Sequence, residues 1–193
     1  MTAGGMPRSV GRVVQECSAG LVVIRQDGDQ LAFAAPPTVR SGDLEPEYLA
    51  RGIKAFGVRP EQVIEHQWAD NGPGWADLRL ASAEEVLALE PDFSTISDAM
   101  VGAIGAYPDG SDCAFELRSF APGVGVYKDP ICGSMNASVA QWLTRGGMAP
   151  LEYSVSQGSK VSRSGRITIS TDGEDVLWVG GTTTVLFTGT ATV

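Results

Sequence analysis

Apolar residues along this chain fall into many short runs, and in several of them apolar and polar positions alternate. Residues 75–80 (Trp-Ala-Asp-Leu-Arg-Leu) and residues 113–120 show the alternation most clearly, as half-buried strands do. Residues 10–25 predict two strands, or one strand interrupted by a bulge, and Asp27-Gly28-Asp29 predicts a hairpin turn. The remaining runs predict strands at 31–35, 62–68, 101–108, 151–156, 166–170 and 176–179, followed by a β-rich run at 182–193.

Three segments carry helix signals instead. Ser82 and Glu85 have the spacing of a capping box, and glycines at Gly57 and Gly146 are typical of helix ends. The predicted helices are 47–56, 83–89 and 134–145. Many short strands with three short helices indicate an α+β fold built on twisted sheets or barrels, rather than a doubly wound parallel sheet.

Composition narrows the classes of partner. The 193 residues are 43% hydrophobic and 19% charged, which is enough apolar material for a buried core. The net charge of -9 and the lack of a basic stripe argue against binding to nucleic acid or to an anionic membrane surface. We find no apolar run long enough to span a bilayer and no hydrophobic signal core, so we expect a soluble, cytoplasmic protein.

The chain contains few residues that could bind a metal ion or form a catalytic triad. The cysteines are Cys17, Cys113 and Cys132, and their number and spacing fit neither a disulfide framework nor a zinc site. The one histidine, His66, has no nucleophile motif near it and is interpreted as a surface or strand-edge residue. We therefore expect no metal and no cofactor.

The stretch 120–147 has the strongest indication of chemistry. Asp129, Cys132 and Ser134 gather at the amino end of the third predicted helix, where unpaired amides and the helix dipole favour an anion such as a carboxylate. A thiol at such an end is expected to have a lowered pKa. The alternative is a well-capped core helix, in which Asp129 and Ser134 cap and Cys132 is a small buried residue.

A family resemblance adds to this picture. The stretch Phe120-Ala-Pro-Gly-x-Gly-Val-x-x-Asp-Pro-Ile-Cys-Gly-Ser resembles the phenazine-biosynthesis PhzF-like family, whose members carry aromatic-Ala-Pro, then Glu-Asp-Pro-Val-Thr/Cys-Gly-Ser, then a small-residue helix. Weaker matches stand in the same order, at 75–92, at 157–158 with 163–165, and at 174–181. Together the matches cover residues 10–193.

The resemblance implies the diaminopimelate-epimerase fold, a barrel of twisted, mostly antiparallel strands around a central helix, with one complete lobe and a partial one. Residues 1–40 would be remnant strands of the first lobe. Residues 41–181 would form the complete second lobe around the helix at about 134–145, and residues 182–193 would return to the first lobe.

The resemblance also implies a site and an activity. The family active site lies between lobes, so Asp129 and Cys132 are candidate catalytic residues. Gly133, Ser134, Gln157 and Gly158 are candidates for binding the substrate. The activity implied is isomerase- or epimerase-type proton transfer on a small carboxylic acid, without metal or cofactor.

Two departures from the family pattern change what is expected. Lys128 stands where the family has Glu before Asp-Pro, and residues 1–39 lack the first-lobe motifs, including the acid/base glutamate. The chain is therefore interpreted as a truncated or split member. The alternative is a non-catalytic small-acid-binding protein or a structural half, which self-associates as a homodimer or needs a complementary chain.

Overall fold

The computed structural model describes residues 9–17 and 19–189. Within these residues, three helices are α1 (Pro46–Phe56), α2 (Ala83–Ala88) and α3 (Gly133–Arg145). The strands are β1 (Arg12–Cys17), β2 (Gly20–Asp27), β3 (Gln30–Ala34), β4 (Val63–Trp68), β5 (Trp75–Leu80), β6 (Met100–Ala106), β7 (Phe115–Ala121), β8 (Val126–Asp129), β9 (Glu152–Gln157), β10 (Gly165–Thr171) and β11 (Leu177–Thr182).

All of these strands belong to one mixed sheet. Its order is β1-β2-β3-β11-β10-β9-β7-β6-β5-β4, and β8 pairs with β7 beside that path. Strand pairs β5–β6 and β7–β9 are parallel, and the other neighbours are antiparallel. The predicted α+β class with mostly antiparallel strands is confirmed. The sheet has two ends and is not closed, so the barrel and its lobes stay predictions.

Helix α3 packs against one face of the sheet, and α1 and α2 cover part of the other. The core cluster around α3 includes Met135 and Leu143 of the helix together with Leu117 of β7. A second cluster joins Phe56 of α1 to Phe120 of β7. Because successive side chains of a strand point to opposite faces, Leu117 and Phe120 place the two clusters on opposite sides of the sheet. The middle of the sheet is therefore buried on both faces.

Local signals fix the ends of the helices as predicted. Gly57 closes α1 with a φ of 66°, and its amide donates to the carbonyls of Ile53 and Lys54. The hydroxyl of Ser82 accepts the amide of Glu85 at 3.2 Å, so the capping box at the start of α2 is confirmed in its main bond.

Other segments agree only in part with the sequence expectation. Residues 10–25 form two strands, β1 and β2, joined without a bulge in their register. Strand β8 was not predicted. Residues 183–189 form no strand, contrary to the predicted β-rich run, and 190–193 lie outside the described residues. The predicted division of the chain stays a prediction, with its parts at 1–40, 41–181 and 182–193. Strand β3, from the first of these parts, pairs directly with β11, so the two belong to one sheet.

Candidate functional site

The loop that leads into α3 is held by its own side chains and by β7. Asp129 ends β8 and lies opposite Ser119 of β7. One oxygen of its carboxylate accepts the amide of Ile131 at 3.0 Å, which closes the turn around Pro130. Asp129 is half-buried, and with Lys128 it lines a small cavity of about 10 Å³. Its position is thus set by the turn rather than by the helix.

Gln157 is the centre of the hydrogen-bond network beneath this loop. The side chain is 1% exposed, and its oxygen accepts the Cys132 amide at 3.3 Å and the Asn136 amide group at 2.8 Å. Its nitrogen donates to Ser119 Oγ at 2.8 Å and to the carbonyl of Asp129 at 3.2 Å. Both ends of the Gln157 amide are engaged, so this residue positions the start of α3 and leaves no hydrogen-bonding group for a ligand.

Gly158 allows the next turn to approach the loop closely. Its φ is 100°, and a Cβ at this position would lie 2.6 Å from the carbonyl oxygen of Pro130. A side chain would therefore push the loop before α3 away from β9. Gly158 thus contacts the loop before α3, and its predicted role in binding the substrate stays a prediction.

The amino end of α3 is not capped by a side chain from the described residues. The N-cap position is Cys132, and Ser134, predicted as an N-cap or a ligand-binding hydroxyl, is the second residue of the helix. Ser134 Oγ accepts the indole N–H of Trp75 at 2.9 Å, and its carbonyl accepts the side-chain amide of Asn71 at 2.9 Å. The first amides of a helix lack intrahelical partners, so this end keeps its capacity for an anion.

Cys132 is buried at 7% exposure, with Sγ 3.5 Å from Ser134 Oγ. Burial is the largest influence and raises the pKa of the thiol, while the Ser134 hydroxyl and the Met135 amide act in the opposite direction. The lowered pKa expected from the helix end is therefore wrong, because loss of hydration outweighs the helix end at this depth.

A pocket of about 540 Å³ opens at the amino end of α3, between that end and strands β1–β3. Ser134 lines it, and its remaining lining residues are Gln15, Cys17, Ala19, Val22, Ile24, Phe33, Pro36, Asn71, Gly72 and Pro73. Of the six predicted site residues, Ser134 is the one in this lining. Cys17, interpreted from sequence as inert, also lines the pocket, because its place on β1 brings it there.

Gly133 lines a second pocket, of about 340 Å³, on the other side of Phe33. The Phe33 ring lies 3.3 Å from the position that a Gly133 Cβ would occupy, and Phe33 lines both pockets. The glycine thus lets an aromatic ring of β3 approach the helix end. The structure therefore places Gly133 and Ser134 in two pockets with Phe33 between them, while Asp129 and Gly158 line a third cavity.

Asp77 is a buried carboxyl group that sequence reasoning did not single out. It is fully buried on β5, and neither carboxylate oxygen has a hydrogen-bond partner among the described residues. A Cβ on Gly102 would lie 2.9 Å from its Oδ2 and would also meet the Met135 side chain, so Asp77 lies beneath the first turn of α3. Burial raises the pKa of Asp77 well above its ordinary value of 3.8.

Within the described residues no group of three or more Asp, Glu, His or Cys side chains could hold a metal ion. None of the described helices has the length and apolar character needed to cross a membrane. The single histidine lies on β4, where His66 Nδ1 accepts the amide of Leu44 at 3.2 Å.

The fold and site define a class of α+β protein in which an open mixed sheet packs on a buried helix whose amino end meets a pocket. The chain belongs to the PhzC-PhzF family, described as phenazine biosynthesis-like protein, whose profile matches residues 2–193. The resemblance stated from the sequence is confirmed. A solved PhzF-family phenazine biosynthesis protein from Enterococcus faecalis superposes with a TM-score of 0.70 at 22% identity, over 95% of this chain and 65% of that chain.

Two curated proteins are also similar to this chain in sequence. Antisense-enhancing sequence 1 of Schizosaccharomyces pombe is 31% identical over 176 residues, which cover 83% of this chain and 59% of the relative. An uncharacterized isomerase of Pseudomonas aeruginosa is 27% identical over 175 residues, which cover 89% of this chain and 61% of the relative. The chain therefore spans about three fifths of the length of these relatives.

Proposed function

We propose that this chain binds a small carboxylic acid at the amino end of α3 and takes part in isomerase- or epimerase-type proton transfer on that acid. The observation that carries the proposal is the uncapped helix end whose Ser134 lines the 540 Å³ pocket. Helix amides and dipole favour a carboxylate there. No Asp or Glu occurs among the described residues of the pocket lining to repel it.

The pocket also has an apolar part that suits the body of such an acid. Val22, Ile24 and Phe33 line it from β2 and β3, and Pro36 and Pro73 line it from the adjoining loops. A small polar end with a larger apolar body is the usual composition of a metabolite site. An acid with a hydrocarbon portion is therefore favoured over a compact, highly charged one.

Cys132 is proposed to carry the proton transfer, and Asp129, the other predicted catalytic residue, is proposed to shape the loop before α3. The thiol of Cys132 lies within reach of the Ser134 hydroxyl, so a proton can pass from Cys132 through Ser134 to a ligand. Because burial raises its pKa, Cys132 would enter the reaction as a thiol that donates a proton. Asp129 lines a separate cavity and would act by shaping the loop through the Ile131 amide.

The activity of the whole relatives is itself a proposal for this chain, because they are longer. Proton transfer at carbon needs an acid and a base, or one group that shuttles. Cys132 would be the one group that shuttles, so proton exchange at carbon would not require a second chain.

Solvent exchange at carbon tests this proposal. The protein is incubated in D₂O with L-phenylalanine, L-malate and 2-hexenoate, and deuterium at the carbon next to the carboxylate or alkene is followed by NMR. We expect exchange with at least one acid, and a loss of about a hundredfold in Cys132→Ala. Cys113→Ala is the matched control, since Cys113 is also a buried thiol but lacks the contact with the Ser134 hydroxyl that Cys132 makes. Equal exchange in both variants would contradict the role of Cys132.

A second candidate function is a non-catalytic acid-binding or structural half-protein. It is favoured by the pocket lining, in which Cys17 is the one ionisable side chain among the described residues. Calorimetry with the same acids separates the two functions. Binding that Ser134→Ala weakens, without any deuterium exchange, would support the second candidate.

A further inference from the structure

Two pockets flank the amino end of α3, and one side chain stands between them. Ser134 lines the 540 Å³ pocket, and Gly133, the residue before it, lines the 340 Å³ pocket. Among the residues that the structure describes, Phe33 is the one that both linings share. The helix end thus borders both pockets, with the Phe33 side chain between them.

The register of β3 explains why Phe33 occupies this place. Phe33 lies opposite Ile24 of β2 on one side and opposite Val179 of β11 on the other. Directly opposite residues of an antiparallel pair share one face of the sheet, so the three side chains form a row across β2, β3 and β11. Ile24 lines the 540 Å³ pocket and Val179 lines the 340 Å³ pocket. The row is therefore the floor of both pockets, and Phe33 is its middle member.

The ring of Phe33 closes the gap between this row and the helix. Two of its carbons lie 3.3 Å from the position that a Cβ of Gly133 would occupy. That distance is shorter than the optimal separation of two carbon atoms, so a methyl group at this point would already crowd the ring. A hydrocarbon chain that lies in one pocket consequently cannot pass the ring into the other.

Both pockets have apolar walls that a hydrocarbon chain would follow if the ring were absent. Val22 and Ile24 line the first pocket, and Leu31, Ile167 and Val179 line the second. Removal of the Phe33 ring would join the two linings into one apolar trough that runs past the helix end. The ring therefore limits the length of apolar surface that a ligand at the helix end can bury.

We propose that Phe33 sets the upper length of the hydrocarbon portion of the acid that this protein accepts. The carboxylate lies at the helix end, and the hydrocarbon portion fills the pocket lined by Ser134 until it meets the Phe33 ring. Longer acids gain nothing from their surplus methylenes, because these stay in water or must displace the ring. The inference rests on the proposed binding of an acid at α3 and adds the residue that selects among acids.

A chain-length series tests this inference. Calorimetry with straight-chain carboxylates from butanoate to dodecanoate, each below its micelle concentration, gives the dissociation constants of the wild-type chain. Each methylene that becomes buried should strengthen binding about fourfold, and the gain should stop where the chain reaches Phe33. In Phe33→Ala the gain should continue over several further methylenes, so that dodecanoate binds at least about tenfold more tightly than to the wild type.

Two further variants make the test specific. Phe33→Leu keeps an apolar side chain against α3 and should move the length limit in the same direction by less, and it decides the question if Phe33→Ala fails to fold by circular dichroism. Val179→Ala shortens a side chain of the same row that lines the second pocket alone, so its limit should equal that of the wild type. A limit that neither Phe33 variant moves overturns the proposal. So does a Val179→Ala variant that moves the limit as far as Phe33→Ala.

Straight-chain alcohols of the same lengths separate this inference from the proposed function. They carry the same hydrocarbon portion without a carboxylate, so the same limit should appear at weaker affinity. A limit that Phe33→Ala moves for the alcohols, with no binding of the acids, would contradict acid binding at α3 and retain Phe33 as the residue that limits length. Acid binding without such a limit would overturn the role of Phe33 and leave the proposed function standing. Failure of both series to bind would overturn both.

Discussion

Strands β7 and β1 have similar lengths but opposite surroundings. Every residue of β7 is buried, whereas Val13 is the one residue of β1 that is even partly buried. The difference does not follow from residue type, because β7 contains the buried charges Glu116 and Arg118 while β1 exposes Val14. It follows from neighbours, since β7 lies between α3 and α2, whereas none of the described helices packs against β1.

Burial of charge in β7 is possible because the neighbours supply partners. Glu116 accepts the Tyr107 hydroxyl at 2.9 Å, and Arg118 donates to the carbonyls of Val86 and Leu89 at 3.1 and 2.7 Å. These carbonyls belong to the end of α2, where the Val86 carbonyl also accepts the Leu89 amide at 3.3 Å and Leu89 is the C-cap residue. A strand in the centre of the sheet can thus carry charges that an edge strand keeps in water.

The largest expected effect comes from truncating a leucine in each region. Leu117 of β7 is fully buried and Leu21 of β2 is 72% exposed. Leu117→Ala should lower the free energy of unfolding by about 2–5 kcal/mol, because it removes buried surface and leaves a cavity. Leu21→Ala should change it by less than about 0.5 kcal/mol. Urea denaturation measures both, and equal losses would mean that the two regions are equally packed.

A smaller effect on the free energy of unfolding is expected when each of two glutamines is replaced by leucine. Gln157→Leu leaves the Cys132 amide and Ser119 without their partner and should cost about 1–3 kcal/mol. Gln15→Leu, on exposed β1, should stay within about 0.5 kcal/mol. Hydrogen exchange should also show faster exchange of the first amides of α3 in Gln157→Leu. Unchanged exchange there would contradict the positioning role of Gln157.

The third comparison concerns the charge of a carboxyl group. Its effect on the stability of the fold is zero at low pH, where the group is protonated in both the folded and the unfolded state. The raised pKa of Asp77 means that the folded state holds this proton more tightly than the unfolded state, whose value is near 3.8. Stability is therefore full below pH 3.8 and is lost progressively as pH rises towards the folded pKa.

Asp77→Asn should remove this loss, so its Tm should match the wild type near pH 3.5 and exceed it increasingly at higher pH. Asp27→Asn is the control, because the Asp27 side chain is 72% exposed. Parallel Tm curves for the wild type and Asp77→Asn would show that Asp77 ionises as freely in the folded protein as in the unfolded chain.

Much of the secondary structure could be predicted because its signals are local. Alternation placed β5 and β7 within one or two residues, and the cap at Ser82 and the glycine at Gly57 marked helix ends. Strand β8 escaped prediction, since its four residues are exposed or half-buried and carry no apolar alternation. A strand was overpredicted at 183–189, because threonine and valine favour strands only where a neighbouring strand is available.

The candidate site was predicted in part. Its helix end could be recognised from the spacing of Asp129, Cys132 and Ser134, but the contacts of those residues could not. Trp75 and Asn71 reach Ser134 from about sixty positions away in the chain. Cys17 enters the pocket lining because β3 pairs with β11, a contact between the two ends of the chain.

The sequence by itself therefore determined the α+β class, the family and the helix whose amino end forms one side of the pocket, because these depend on local order along the chain. Tertiary structure decided which groups are buried and which meet. It engaged Gln157 in a buried hydrogen-bond network, raised the pKa of Cys132 by burial, and placed Phe33 between the pocket lined by Gly133 and the pocket lined by Ser134. Burial depends on neighbours distant in sequence, and no local pattern contains them.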